Sequence, residues 1–382
     1  MLNRVYIIIL STIVFSTSIY SQQLLSLGDC RNRAIENSKT LKIASEEVRV
    51  AHYNKKDALS KFFPEISFMG GYVHNQKNLH LIPSSAIPQS IDLPNLSIPI
   101  PEKLRQQILG MGEIDIRNIW AGGFTLTQPL FMGGKIVNYN DLRRYAEELS
   151  ETMQDKKMAD VIVEVDNVYW QVVSLTNKKK LADSYVALLK KLDADIQIME
   201  EEGVATKADR LSVSVKLNEA EMTQTKAENG VSLSKMLLCQ ICGIDITDQI
   251  TLADENVASV DVDTNTMPLF NIDEALANRK EIKSLELATQ IYEKKEAITK
   301  SEFMPQVALT ANYLWTNPNL DDGFEKKFSG MWNVGVMAKV PLNFFSNSAK
   351  LNSARAETRI KRYELDEAKE KITLEVNQSA YK

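Results

Sequence analysis

The chain has 382 residues, of which 44% are hydrophobic, 25% charged and 7% aromatic, values that exclude a disordered, collagenous or disulfide-rich polypeptide. Its 45 Lys and Arg against 50 Asp and Glu leave a net charge of -5, with both signs mixed along the sequence, so no basic stripe points to nucleic acid.

Residues 1–21 differ from the rest. Arg4 supplies a positive start, Val5 to Phe15 is apolar, and Ser16 to Ser21 is small and polar, the pattern of a secretory signal peptide cut near Ser21. The apolar run is too short to span a bilayer, and no later stretch approaches the ~20 apolar residues a spanning helix needs. A lipid anchor would require Cys at the cleavage point, and the first cysteine, Cys30, lies well beyond it.

A first unit is expected over residues 22–242. It opens with an amphipathic helix from Asp29 to Phe63, with Leu41, Ala44, Val48, Ala51, Ala58 and Phe62 spaced three and four apart and Pro64 as its stop. The period then changes to two. Strands are expected at about 65–74 and 118–128, where Trp120, Phe124 and Leu126 mark an apolar side and Thr125 and Thr127 a small, polar one. The connection between them holds Pro83, Pro88, Pro94, Pro99 and Pro101 and reads as irregular, with one or two helical turns at Glu102 to Leu109. A helix of about 68 residues follows, about 135–202 and ~100 Å long, then a returning helix at about 205–241. Residues 243–268 carry Asp245, Asp248, Asp254, Glu255, Asp261 and Asp263 without Lys or Arg, and read as a solvated acidic linker.

Residues 269–382 repeat this order. Sliding the chain by 241 places Ala34 to Tyr72 on Ala275 to Tyr313 without a gap, with Lys39/Lys280, Phe62/Phe303, Pro64/Pro305 and Tyr72/Tyr313 among the identities. An offset of 212 then lays Trp120 and Pro129-Leu130 on Trp332 and Pro341-Leu342. Second-copy strands are expected at about 306–315 and 331–340, with Asn333 and Lys339 on the polar side. From Pro129 to the end of the returning helix there are 112 residues, whereas 41 follow Pro341, so internal symmetry expects about 71 more to complete the second copy. The fold class is mainly α with a small β part, in two helix-strand-strand-helix repeats. Four amphipathic strands cannot close a barrel alone, and an open edge is not tolerated in lipid, so a membrane reading requires several copies.

The order of these elements resembles the TolC-like outer-membrane efflux proteins over nearly the whole mature length. The resemblance rests on Leu25-Ser26-Leu27-Gly28-Asp29-Cys30 before a helix, the Phe-x-Pro junctions at Pro64 and Pro305, Gln128-Pro129-Leu130-Phe131 with Gly133-Gly134, and the hairpin tip Glu202 to Leu211. It implies a homotrimer in the outer membrane of a Gram-negative cell. Its β part would be a 12-stranded transmembrane barrel, above an α-helical periplasmic barrel. It also implies a passive channel of a tripartite efflux or type I secretion system, in contact with outer-membrane lipid, docked to a periplasmic adaptor and served indirectly by an inner-membrane transporter. Carried onto this chain, the docking tip comprises Gly203, Val204, Ala205, Thr206, Lys207 and Asp209, and the barrel lumen receives Thr125, Thr127, Asn333 and Lys339. Glu200, Glu201 and Glu202 would give nine charges near the periplasmic mouth of a trimer; a plain solvated helix end is the alternative.

Other classes explain less. A periplasmic coiled-coil adaptor should carry one hairpin between β-rich halves, and an envelope scaffold without a pore leaves the strand pairs unexplained. For an enzyme the sequence lacks a nucleophile elbow, a P-loop and an isolated carboxylate pair. No cofactor or metal is expected. Cys239 and Cys242 form a C-x-x-C without a βαβ frame and read, with Cys30, as small buried residues, while His52, His74 and His80 lack zinc spacing. The exported substrate is not encoded in these patterns.

Overall fold

The computed structural model describes residues 23–93, 96–256, 271–319 and 324–380. The signal peptide and linker residues 257–268 lie outside the described residues. In chain order the elements are β1 (Gln23–Leu25), α1 (Leu27–Asn37), α2 (Lys39–Ser60), β2 (Glu65–His74), β3 (Leu79–His80), β4 (Ser90–Leu93), β5 (Leu96–Pro99), α3 (Glu102–Met111), β6 (Glu113–Ile114), β7 (Asn118–Phe131), α4 (Lys135–Glu201), α5 (Lys207–Cys242), β8 (Ile250–Leu252), α6 (Ile272–Asn278), α7 (Lys280–Lys300), β9 (Gln306–Asn317), β10 (Ser329–Lys339) and α8 (Phe344–Ala380). They fall into two compact units. One comprises residues up to Val50, Leu149–Ser284 and Ala368 onward; the other comprises Ala51–Glu148 and Leu285–Glu367.

The first unit is helical. Ser26 opens α1 with a capping box, its hydroxyl accepting from Asp29 N at 3.2 Å while Asp29 accepts from Ser26 N at 3.0 Å. The expected single helix from Asp29 to Phe63 is in fact α1 and α2, broken at Ser38, whose ψ of 119° is extended. The repeat carries the same break: α6 and α7 part at Arg279, ψ 123°, which is Ser38 shifted by 241. The core packs Cys30, Ala34, Val165, Tyr169, Val172, Leu238 and both remaining cysteines. Gly243 ends α5 in the left-handed region, φ 69°, with Ile244 N donating to Cys239 O at 2.8 Å. A Cβ there would lie 2.5 Å from Asn37 Cβ, so both backbone and space favour glycine.

The linker departs from its reading as solvated. Ile250–Leu252 pairs in parallel with Gln23–Leu25, and Ile250 and Leu252 are buried. Two of its acids are bound to residues outside the linker: Asp254 accepts from Tyr169 Oη at 2.6 Å, and Glu255 sits 2.7 Å from Lys235 Nζ. Burial and that carboxylate together hold the Tyr169 phenol well above its ordinary range. The alternation of Ile250 and Leu252, both turned inward, was the available signal, but three residues are too short a run to read as a strand.

The second unit contains the four-stranded antiparallel sheet, in the order β10-β9-β7-β2. Strand β7 runs past the expected 128 to Phe131 through an irregularity between Pro129 and Phe131, where a residue lacking an N–H is tolerated. Strand β9 extends to Asn317, and β10 occupies Ser329–Lys339, ending short of Val340, the residue before Pro341. The return from β7 to α4 is made by Gly133 and Gly134, φ 61° and 82°. A Cβ on Gly133 would lie 2.5 Å from Met304 Cβ, which explains why this residue is glycine. The helical turns expected at Glu102 to Leu109 are there as α3, and the proline-rich connection holds more order than expected in the β4–β5 and β3–β6 pairs. Asp115 there is gripped by Arg117 at 2.7 Å and Lys326 at 2.5 Å, which keeps its carboxyl well below the usual range.

Candidate channel strands and hairpin tip

Antiparallel register decides which side chains share a face. Thr125 stands opposite Ser67 on one side and Asn312 on the other, and Asn312 opposite Asn333. These four form one polar row, in which Asn312 Nδ2 donates to Asn333 Oδ1 at 2.9 Å. Thr127 pairs with Glu65 and Thr310 on the same face, and Lys339 with Gln306. All four residues expected on the polar side therefore do share it. Ser67 and Asn312 belong with them and were missed, although the period of two that selected Thr125 points to them once the register is known. One expectation needs correction: this face is not uniformly small and polar. Met69, Met331 and Met337 also lie on it by the same alternation.

The opposite face is apolar and aromatic. Phe68, Phe124, Tyr313 and Trp332 form one row across all four strands. Phe68 and Phe124 ring centroids are 5.2 Å apart, and the Trp315 ring lies 5.7 Å from Phe68. Tyr72 and Trp120 meet at 4.5 Å nearer the strand ends. Trp315 is seated over Gly122, where a Cβ would fall 2.9 Å from the indole. In spite of this packing, Phe124 remains 50% and Trp332 75% exposed. Large rings that stay open on one whole face of a sheet mark a surface made for an apolar surrounding. The outer edges of β2 and β10 are unpaired among the described residues.

The reversal between α4 and α5 is built by its own residues. Val204 N and Ala205 N both donate to Met199 O, at 2.8 and 3.0 Å, and Gly203 takes φ 76°. Thr206 is the N-cap of α5. Its hydroxyl accepts from Asp209 N at 3.3 Å, and the Asp209 carboxylate accepts from Thr206 N at 3.0 Å. Hydrogen bonds from Thr206 accordingly hold the Asp209 carboxyl below its ordinary value. That cap starts α5 at Lys207 rather than 205. Val204 projects with 71% exposure, and no heavy atom approaches a Cβ built on Gly203 within 4 Å, so the turn is open on its outside. The acidic trio is not a uniform charge cluster. Glu200 pairs with Arg210 at 3.3 Å and Glu201 accepts from Gln197 at 3.2 Å.

A family description, outer membrane efflux protein, matches residues 30–243 and 271–382, on both sides of the acidic linker. The chain belongs to the outer membrane efflux protein family. Its fold is also that of solved channels of this kind. The outer-membrane channel OprN superposes with a TM-score of 0.69 at 15% identity, covering 93% of this chain and 72% of its own. The Campylobacter jejuni CmeC outer membrane channel gives 0.67 at 14%, covering 90% and 67%. The outer membrane protein VceC from Vibrio cholerae gives 0.65 at 13%, covering 90% and 75%. At such identities the likeness is one of fold. No curated protein sequence matches the chain significantly. Membership of the outer membrane efflux family places the protein in the outer membrane with a large periplasmic part.

Proposed function

We propose that this efflux-family protein is the outer-membrane channel of a tripartite efflux or type I secretion system, conducting substrates passively from periplasm to exterior as a homotrimer. The observation that carries the proposal is the sheet itself: four strands, one lipid-compatible face, one polar face, and two edges unpaired among the described residues. An open edge in hydrocarbon leaves a row of backbone groups without partners, and closing the sheet with further copies removes it. Three copies supply twelve strands. Thr125, Thr127, Asn333 and Lys339 then line the lumen and the aromatic rows face lipid.

The open reversal at Gly203 to Asp209 is the proposed docking point for a periplasmic adaptor. Val204 offers exposed apolar surface beside the half-buried Ala205, and Lys207 and Asp209 add charge next to it. With Glu200 bound to Arg210, Glu201 and Glu202 carry the acidic contribution at that end. The proposed domain division is a repeat over 22–242, a linker over 243–268 and a second repeat from 269.

Purified protein reconstituted in planar bilayers tests the channel reading. Discrete ion-conducting steps from a trimeric species are expected, with selectivity altered by Lys339→Glu. A protein that stays in the aqueous fraction and never conducts would overturn it.

A further inference from the structure

The internal repeat is obeyed by the sheet at the level of individual pairs. Glu65 stands opposite Thr127, and their repeat equivalents at offsets 241 and 212, Gln306 and Lys339, stand opposite each other. At the far end His74 faces Asn118, and Trp315 faces Gly330, again the same pair displaced by the same offsets. The β2–β7 and β9–β10 hairpins thus share one register, although the loops that join them differ greatly in length. Register here is written into the strands and not imposed by the turns.

A second kind of junction occurs once among the described residues, between β7 and β9, where the first repeat meets the second. The free edge of β10 is the repeat equivalent of β7, and the free edge of β2 is the equivalent of β9. We propose that β10 of one copy of this chain pairs antiparallel with β2 of a neighbouring copy in the register of the β7–β9 junction, setting Lys339 opposite Met69, Met337 opposite Gly71 and Gly335 opposite Val73. This rests on the oligomeric channel reading above and specifies the seam within it. Each assignment is the shifted form of an observed pair: Thr127 with Thr310, Thr125 with Asn312, and Gly123 with Leu314.

A contact within the observed junction argues for the same match. A Cβ on Gly123 would lie 2.5 Å from the Tyr313 carbonyl oxygen, so β9 can lie where it does only against glycine. The shifted positions are Gly335 and Tyr72, the same two residue types, each on an edge with no strand against it among the described residues. Inside its own chain Gly335 has no such reason to be glycine, because a Cβ there meets only Thr310 Oγ1 at 3.9 Å. Glycine also weakens a strand interior relative to alanine, so its place in the middle of β10 calls for a close approach from outside. The seam is consistent in volume as well. Gly71, where a Cβ would find nothing within 4 Å, receives Met337, and on the aromatic face Gly70 receives Ala338.

The test is oxidative crosslinking of paired cysteines in the full-length membrane protein, whose native cysteines are buried. Lys339→Cys with Met69→Cys, and Ala338→Cys with Gly70→Cys, should give covalent dimers and trimers. Yields should be at least about tenfold above those of the slipped pairs Lys339→Cys with Ser67→Cys and Lys339→Cys with Gly71→Cys, because diagonal neighbours stand ~7–8 Å apart. Crosslinking of a slipped pair instead, or a native trimer with no adduct in either matched pair, overturns the register and leaves the channel reading intact. A wild type that is monomeric by native mass measurement overturns both. Gly335→Val is the second probe: the protomer should keep its helical signal while the trimer fraction falls several-fold, and an undiminished trimer would remove the glycine-tyrosine contact from the argument.

Discussion

The helical core around Tyr169 and the sheet around Trp315 treat apolar residues in opposite ways. In the core the apolar side chains are mostly small, such as Cys30, Ala34, Val165 and Val172, and they exclude water almost completely within one chain. In the sheet they are large and remain open: Phe68 is 60% and Val336 66% exposed. The first arrangement buries its side chains with no partner but its own chain. The second acquires its stabilisation from a different solvent, since hydrocarbon accepts rings and aliphatic chains but no unpaired backbone.

The largest effect that separates the two regions is truncation in the core. Leu238 is fully buried, and Leu238→Ala should cost about 2–5 kcal/mol from lost burial and the cavity left behind. Val336→Ala removes a comparable side chain from the open face of β10 and should leave unfolding of the detergent-solubilised protein nearly unchanged. Guanidinium unfolding of the two variants side by side measures the difference. Equal losses would mean that the sheet face is covered within the protomer and that the contrast is false.

The second prediction turns on the two faces of one strand. Neighbours on β7, Phe124 and Thr125 point to opposite sides, one in the aromatic row and one in the polar row. Phe124→Arg should destabilise the protein folded into lipid vesicles by about 2–4 kcal/mol, while Thr125→Arg should cost little and alter conductance instead. Urea titration in vesicles reads the first and single-channel recording the second. A reversed order would invert the assignment of lipid and lumen.

How much of this the sequence discloses depends on the range of the interaction concerned. The four sheet strands, the long helix and its return are legible because each is a sustained period of two or of three and four, and the same periods occur twice. The breaks at Ser38 and Arg279 are not, since neither is Gly or Pro and each interrupts a helix for a single residue. The β1–β8 clamp was hidden for a related reason: its two strands lie more than two hundred positions apart, and three alternating residues are too short a local signal to read as a strand. Of the candidate site, Thr125, Thr127, Asn333 and Lys339 come from alternation alone. The row joining Thr125 to Ser67 and Asn312 needs the register, and the pairing of Glu200 with Arg210 needs the geometry of the reversal.

Glu147 lies between the two extremes of the comparison, a charged residue only 8% exposed among the helices of the second unit. Its carboxylate accepts from Lys55 Nζ at 2.5 Å, and its other oxygen lies 2.7 Å from His52 Nδ1. Lys55 first, and His52 after it, hold the carboxyl below its ordinary value against the opposing effect of burial. A carboxyl depressed in the folded state contributes stability that is fully present above its unfolded value, about 4.3, and is lost as pH falls through the lower folded value. Glu147→Gln keeps the shape and removes the charge, so it should cost about 1–3 kcal/mol at neutral pH, from hydrogen bonds made to a charged group. The gap between wild type and variant should then close as the solution is taken from pH 6 towards pH 3. Paired unfolding curves across that range test the sign. A gap that widens on acidification would show that burial, not the two cations, governs this carboxylate.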